Sequence, residues 1–332
     1  MKIVIPMAGF GTRLRPHTWS KPKPLVSVAG KPSLGHVLDM FSSLPDIEEV
    51  VFIVGYLGDQ ISGYVKEFYP NLNARFVVQD EMLGQSHAIW LAREGLIGPM
   101  LMVFVDTLIE TDLSGLSTED AEAIAWVKEV EDPRRFGVVE IGKDGFVRRL
   151  IEKPDDISIN LAVVGFYYFK EAERLLSAIE AQMEGGSQLG GEYYLADAIN
   201  VMLADGMKMR VETVDVWVDC GKPEALLETN QYLLDHGRDN SQKAGREGVQ
   251  INPPVFIHPS AEVIDSVIGP HAAIGPECTI RRATVRNSII EERTQIEAVM
   301  LTDSLIGRSA RVIGKEQSLT LNIGDSSEII ID

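Results

Sequence analysis

The sequence is poor in the residues that build disulfide frameworks and metal cages. Its two cysteines, Cys220 and Cys278, are far apart and belong to no CxxC pair. That argues against a disulfide scaffold and against a structural zinc site, and both read as buried, inert thiols. The six histidines (His17, His36, His87, His236, His258 and His271) fall at no metal-ligand spacing, and none is assigned catalytic work. No apolar run approaches the roughly 20 residues of a membrane span. The N-terminus enters a strand-like run without a signal-peptide core, so the expectation is a cytoplasmic protein with no membrane partner. Positive charge is also scarce: 31 Lys and Arg face 49 Asp and Glu, for a net charge of -18. This balance disfavours nucleic acid as a partner. Against that background six cations (Lys2, Arg13, Arg15, Lys21, Lys23 and Lys31) gather in the first forty residues, with no acidic residue before Asp39.

With 332 residues and 45% hydrophobic content, the chain can hold one large α/β domain and a smaller one. Apolar runs at Lys2–Met7, Glu49–Val54, Ala74–Val78, Met100–Val105 and Ala123–Val127 alternate with helix-like stretches at Ser33–Leu44, Leu57–Tyr69 and Leu83–Leu96. Strand and helix in alternation predict βαβ units and a Rossmann-like, mostly parallel sheet. A hairpin is predicted for Phe136–Ile141 and Gly145–Ile151. A strand follows at Leu161–Phe169, then helices at Glu171–Met183, Glu192–Ala204 and Lys222–Leu234, with Pro223 suited to the first turn of the last. The expected organisation is an α/β domain over 1–236, a polar linker over 237–254 and a third segment over 255–332.

In that third segment the period changes. Aliphatic anchors stand at Ile257, Val263, Ile268, Ile274, Ile280, Val285, Ile290, Ile296, Leu301, Ile306 and Val312, five or six residues apart. Gly269, Gly275 and Gly307 each follow an anchor. A period near six fits neither an amphipathic helix nor a long strand, but it fits a β-solenoid with one inward aliphatic residue per face.

The cation cluster follows the first strand as AGFGTRLRP and SKPKPLV. Gly9 and Gly11 could open a dinucleotide fingerprint, but Leu14 occupies the third glycine position and no acidic residue near 30 could hold a ribose. The pattern GxxxxGK[ST] is absent. A plain surface loop leaves the clustering of Thr12, Arg13, Arg15, Lys21 and Lys23 unexplained. Glycines let backbone N–H groups approach phosphate oxygens. Arg13 offers a planar fork and Lys23 a compact charge, while Pro22 and Pro24 stiffen the segment that carries Lys23. A triphosphate is the natural target of so many donors.

The stretch MAGFGTRLRPHTWSKPKPLVSVAGKP resembles the signature of the sugar-1-phosphate nucleotidylyltransferases, GxGTRLxPxTxxxPKPxLPVxxKP. It departs at Ser27, where that family usually has Pro, a change expected to matter little. The resemblance implies nucleotide binding by Ala8, Gly9, Gly11, Thr12 and Arg13, and a catalytic role for Arg13 and Lys23. It implies a Mg²⁺-binding carboxylate at Asp106, in VFVDTLI, and a second at Asp219, in VWVDCGKPEALLETNQYL. Two carboxylates completed by phosphate oxygens and water suit Mg²⁺; taken alone, Asp106 reads equally well as a turn residue. Gln79 and Gly84, in VVQDEMLGQSHAI, match positions that grip the nucleobase. Gly137, Glu152, Lys153, Asn160 and Glu192 match positions around the sugar phosphate, although Glu192 suits a first-turn helix acid equally well. Trp217 is as well suited to a core as to a ligand.

The activity so implied joins a nucleoside triphosphate to a sugar 1-phosphate, giving a nucleoside-diphosphate sugar and pyrophosphate. The pair dTTP and glucose 1-phosphate comes first, from overall resemblance to the long glucose-1-phosphate thymidylyltransferases. UTP, and GTP with mannose 1-phosphate, stay open. A different class is a regulatory subunit that binds nucleotide sugars without turning them over. It would be expected to lose phosphate-loop or metal residues, yet Gly11, Arg13, Lys23, Asp106, Lys153 and Asp219 are all present. By the same resemblance the solenoid is a left-handed β-helix. It reads as an assembly or regulatory module favouring a homotrimer, since it is short for an acyltransferase.

Overall fold

A computed structural model describes residues 1–331 apart from 45, 187 and 189. The described chain divides into two compact units. One joins Met1–Gly9 to Val37–Trp217, and the other joins Phe10–His36 to Val218–Asp332. By sequence, residues 10–36 group with the α/β domain over 1–236. The structure places them with the β-helix.

The first unit is built on a nine-stranded sheet. One half of it is parallel: Lys2–Pro6 lies between Glu49–Val54 and Met100–Val103, and Ala74–Val78 extends the edge. The three inner strands are covered on both faces, which explains why they read as apolar runs; Ile3, Val4, Ile5, Val50, Val51, Phe52 and Ile53 are all fully buried. Helices Gly58–Phe68 and Gln85–Leu91 make the crossovers. The long strand Leu161–Phe169 then enters antiparallel beside Met100–Val103. It also pairs with Ala123–Glu129 and with the hairpin strand Gly137–Ile141. Strand Met209–Thr213, which the sequence reading missed, runs parallel to Ala123–Glu129. The helix expected over 83–96 is confined to Gln85–Leu91. Gly84, at φ 96, cannot be helical, and Gly95, at φ 79, breaks the chain beyond.

In the second unit Val218–Asp332 contains a parallel β-helix, and all eleven predicted anchors are buried. They stack in three ladders. One runs Ile257, Ile274, Ile290, Ile306 and Ile323. Another runs Val263, Ile280, Ile296, Val312 and Ile329. The third runs Ile251, Ile268, Val285, Leu301 and Leu319. Corners repeat a left-handed backbone, as at Asp265, Arg282 and Ala298 (φ 46, 48 and 52°). Gly275 lies so close to the next coil that a Cβ there would sit 2.9 Å from the Glu292 nitrogen.

Residues 237–254, read as a linker, form part of this unit. They carry helix Ser241–Ala244 and the first rung Gln250–Ile251. Their polar side chains serve the backbone: Asp239 Oδ1 accepts the N–H of Ser241 and of Val255, and Asn240 exchanges two hydrogen bonds with Ile257. Ala244 is buried in the β-helix core.

Candidate active site

In the first unit, strand Lys2–Pro6 leads into Met7, Ala8 and Gly9 at its carboxyl end, where open α/β sheets bind ligands. Met7 N donates to the Ile53 carbonyl at 2.8 Å. The neighbouring strand ends at Gly55, where a Cβ would lie 2.4 Å from the Ala8 carbonyl oxygen. Only glycine permits that approach, and Gly55 was not among the residues the sequence singled out.

Gln79 follows strand Ala74–Val78 and is buried. Its Nε2 donates to the Gly84 carbonyl at 3.1 Å and lies 3.2 Å from His87 Nδ1. Burial lowers the His87 pKa, which favours a neutral ring whose Nδ1 accepts from Gln79 and whose Nε2 carries the proton. Gly84 has φ 96 and would meet the Tyr193 carbonyl oxygen at 2.6 Å and the Glu192 Cβ at 3.1 Å if it carried a side chain. Tyr193 N donates to Leu83 O and Ser86 N to Tyr193 O, at 2.8 and 3.1 Å. The structure thus brings together Gln79, Gly84 and Glu192, with His87 and Tyr193 as neighbours that the sequence reading missed. Glu192 precedes helix Leu195–Ala204 and lies outside its first turn.

A second cluster forms around the hairpin. Gly137 and Glu152 are register partners, and a Cβ on Gly137 would lie 3.1 Å from Glu152 Oε2. Burial holds the Glu152 carboxyl above the usual range, opposed by Lys153 and reinforced by Asp197. Lys153, at φ 48, places its Nζ 3.9 Å from Glu152 Oε1 and 5.5 Å from the centre of the Tyr194 ring. Asn160, just before strand Leu161–Phe169, donates from Nδ2 to Glu129 at 3.0 Å. Trp217 packs edge-on against Phe136 at 5.0 Å. Its buried indole N–H has no hydrogen-bond partner among the described residues. Asp106 is half-buried in the turn between strands Met100–Val103 and Thr107–Ile109.

In the second unit, Gly11 adopts φ 62 and opens a short turn over Thr12–Leu14. Leu14, which spoils the dinucleotide fingerprint, is fully buried, while Thr12 and Arg13 are exposed. Thr18 Oγ1 donates to the Gly11 carbonyl at 2.8 Å. The space a Cβ of Gly11 would need is bounded by Lys23 Cβ at 2.9 Å and Thr18 Cγ2 at 3.2 Å. Gly11, Thr12, Arg13 and Lys23 therefore form one compact turn structure. Lys21, counted with the cation cluster in the sequence reading, is not available to a ligand. It is buried and paired with Glu291 at 2.7 Å.

Asp219 also belongs to the second unit. Its Oδ1 accepts the Gly221 N–H at 2.7 Å, and its carbonyl accepts from Thr229 Oγ1 at 2.9 Å. A Cβ on Gly221 would stand 2.7 Å from that same Oδ1. No group of three or more His, Cys, Asp or Glu among the described residues could hold a metal ion. Asp106 in the first unit and Asp219 in the second each carry the hard carboxylate oxygens that Mg²⁺ takes as ligands.

A family model described as nucleotidyl transferase matches residues 2–236. Similar proteins include the bifunctional protein GlmU of Methanococcus vannielii, 30% identical over 97% of this chain and 84% of that protein. The low-salt glycan biosynthesis nucleotidyltransferase Agl11 of Haloferax volcanii is 30% identical over 99% of each chain. The glucose-1-phosphate thymidylyltransferase of Streptomyces griseus is 28% identical over 94% of this chain and 93% of its own. A solved UDP-glucose pyrophosphorylase from Acinetobacter baumanii shares the fold, with a TM-score of 0.59 and 22% identity over 71% of this chain and 94% of that one. The chain belongs to the nucleotidyl transferase family, and it is an enzyme of the sugar-1-phosphate nucleotidylyltransferase kind that its signature resembles.

Proposed function

We propose that this member of the family transfers a nucleoside monophosphate from a triphosphate to a sugar 1-phosphate, with dTTP and glucose 1-phosphate as the first pair to test. UTP, or GTP with mannose 1-phosphate, are the alternatives. A phosphate oxygen of the sugar 1-phosphate attacks the α-phosphorus in line. The bond from that phosphorus to the bridging oxygen breaks, and pyrophosphate leaves with the electron pair. The attacking monoester is largely ionised at neutral pH, its second pKa lying near ~6, so no general base is required. Catalysis then rests on positioning and on charge stabilisation.

The observation that carries this reading is the contact between Gly11 and Lys23. It joins the glycine turn to the lysine segment, the two halves of a phosphate grip. In this reading the turn at Ala8, Gly9, Gly11 and Thr12 lines the triphosphate, Arg13 stabilises the departing pyrophosphate, and Lys23 neutralises the transferred group. Gln79 and Gly84 hold the base, with Gln79 fixed by Gly84 and His87. Lys153 aligns the sugar phosphate, and Gly137, Glu152, Asn160 and Glu192 surround the sugar. Asp106 and Asp219 would hold Mg²⁺, which supplies charge neutralisation at the phosphate oxygens. We further propose that the chain forms a homo-oligomer through its β-helix, a trimer being favoured. Its mass by analytical ultracentrifugation tests that.

A matrix of nucleoside triphosphates against sugar 1-phosphates, read by pyrophosphate release, tests the activity and its specificity together. Clear preference for one pair is expected. Release with no pair would remove the reading.

A further inference from the structure

Residues 16–30 lie along one face of the β-helix, the face that carries the Ile257, Ile274, Ile290, Ile306 and Ile323 ladder. At one end a Cβ on Gly324 would touch Pro16 at 2.9 Å, and His17 Nε2 lies 2.7 Å from Asn322 Oδ1. Next along, Ser20 Oγ donates to Asp325 Oδ2 at 2.5 Å, and Arg308 Nη2 donates to the Ser20 carbonyl at 3.0 Å. At the other end the Phe256 ring fills the space beside Gly30.

The middle of this seat is a single buried carboxylate. Glu291 Oε1 takes the Lys21 ammonium at 2.7 Å and the Ser27 N–H at 3.0 Å, and Oε2 takes the Ser27 hydroxyl at 3.2 Å. The Lys21 and Glu291 side chains are only 5% and 7% exposed. The Glu291 backbone is itself pinned, its N–H donating to Ile306 O at 3.0 Å and its carbonyl accepting from Cys278 Sγ at 2.9 Å. Between the two tied residues lie Pro22, Lys23 and Pro24, and a short turn over Lys23–Leu25. Two proline rings fix φ at two positions, and one carboxylate fixes both ends. The backbone of Lys23 is thereby located from the β-helix. The departure from the signature at Ser27, expected to matter little, supplies two of the three donors. A proline there would lack both the N–H and the hydroxyl.

We propose that Glu291 is a positioning residue for nucleotidyl transfer: with Lys21 and Ser27 it clamps the Lys23 segment to the β-helix, which makes that domain part of the catalytic apparatus. The inference rests on the transfer reading above. Removing the carboxylate leaves a buried ammonium unpaired and frees both ends of the segment. Misplacement of a charge contact by about 1 Å costs on the order of 100-fold in rate.

The test uses the full-length protein as wild type, Glu291→Gln and Ser27→Ala, the latter a milder change that keeps the ion pair. Amide hydrogen exchange of residues 21–28 is measured without substrate. Pyrophosphate release is measured on folded enzyme, well below its melting temperature, with the most active nucleotide and sugar phosphate pair. Exchange should quicken in both variants. Turnover should fall about 10- to 100-fold in Glu291→Gln and less in Ser27→Ala, with the KM for sugar phosphate nearly unchanged. A merely structural tie would speed exchange and lower the melting temperature while leaving turnover of folded enzyme intact, and that result would overturn the proposal. Unchanged exchange would overturn it as well. If Glu291→Gln does not fold, Ser27→Ala decides by the same two readouts. If wild type releases no pyrophosphate with any pair, the transfer reading fails and the positioning role goes with it; the exchange data then still show whether the clamp exists.

Discussion

The Cβ that Gly11 lacks would stand 2.9 Å from the Cβ of Lys23, so the glycine turn and the lysine segment touch through a gap that only a hydrogen atom fits. Gly11 also sits at φ 62, a conformation that costs an L-residue about 1–2 kcal/mol. Gly11→Ala should therefore lower stability by roughly that amount and depress kcat/KM for the triphosphate much further, because Lys23 must shift. Thermal melting and steady-state kinetics on one preparation separate the two effects.

Gly137 and Glu152 stand in a similar relation. A methyl on Gly137 would press on Glu152 Oε2 at 3.1 Å and on Val163 Cγ2 at 3.2 Å. If Glu152 accepts hydroxyl hydrogen bonds from the sugar, Gly137→Ala should raise the KM for sugar 1-phosphate about tenfold, or 1.4 kcal/mol, and leave that for the nucleotide near wild type. Glu152→Gln should act on the same constant. A change confined to the nucleotide would assign this cluster to the other substrate.

Much of this fold is legible in the sequence. The inner parallel strands announce themselves as apolar runs because both faces are covered, and the β-helix announces itself because each face needs one aliphatic anchor. Strand Met209–Thr213 hides because Arg210 and Glu212 interrupt its apolar pattern; in the structure they are near neighbours with a hydrogen bond between them. The fate of Lys21 is hidden for a different reason. Charge counted along the chain says how many cations a loop carries, but the carboxylate that takes this one belongs to a coil of the β-helix, 264 residues beyond the neighbouring Ser27. His87 could have been suspected only from its place one turn into the helix after Gly84.

His17 gives the protein a pH dependence of known sign. Burial lowers its pKa below 6.5, against the hydrogen bond to Asn322 that raises it. The unfolded chain thus takes up the proton first as pH falls below 6.5, and stability is lost from there down to the lowered native pKa. The slope is at most one proton, about 1.4 kcal/mol per pH unit. Urea unfolding at several pH values should show this slope in wild type and a shallower one in His17→Gln.

Both thiols should be silent in the native protein. Cys220 and Cys278 are buried, and burial pushes the Cys278 thiol up to about 12, so little thiolate forms near neutrality. A colorimetric disulfide reagent at pH 8 should label neither until denaturant is added, and then both. Rapid native labelling of Cys278, whose Sγ donates to the Glu291 carbonyl, would show that this coil opens.

The most direct measurement follows products in a single reaction with the preferred pair, by phosphorus NMR, for wild type and for Asp106→Ala and Arg13→Ala. Nucleotidyl transfer predicts one pyrophosphate for each nucleoside-diphosphate sugar in wild type. Removing one charge contact should slow it about 100- to 1000-fold in variants whose circular dichroism is unchanged. Near-normal turnover in either folded variant, or pyrophosphate without the sugar nucleotide, would contradict it.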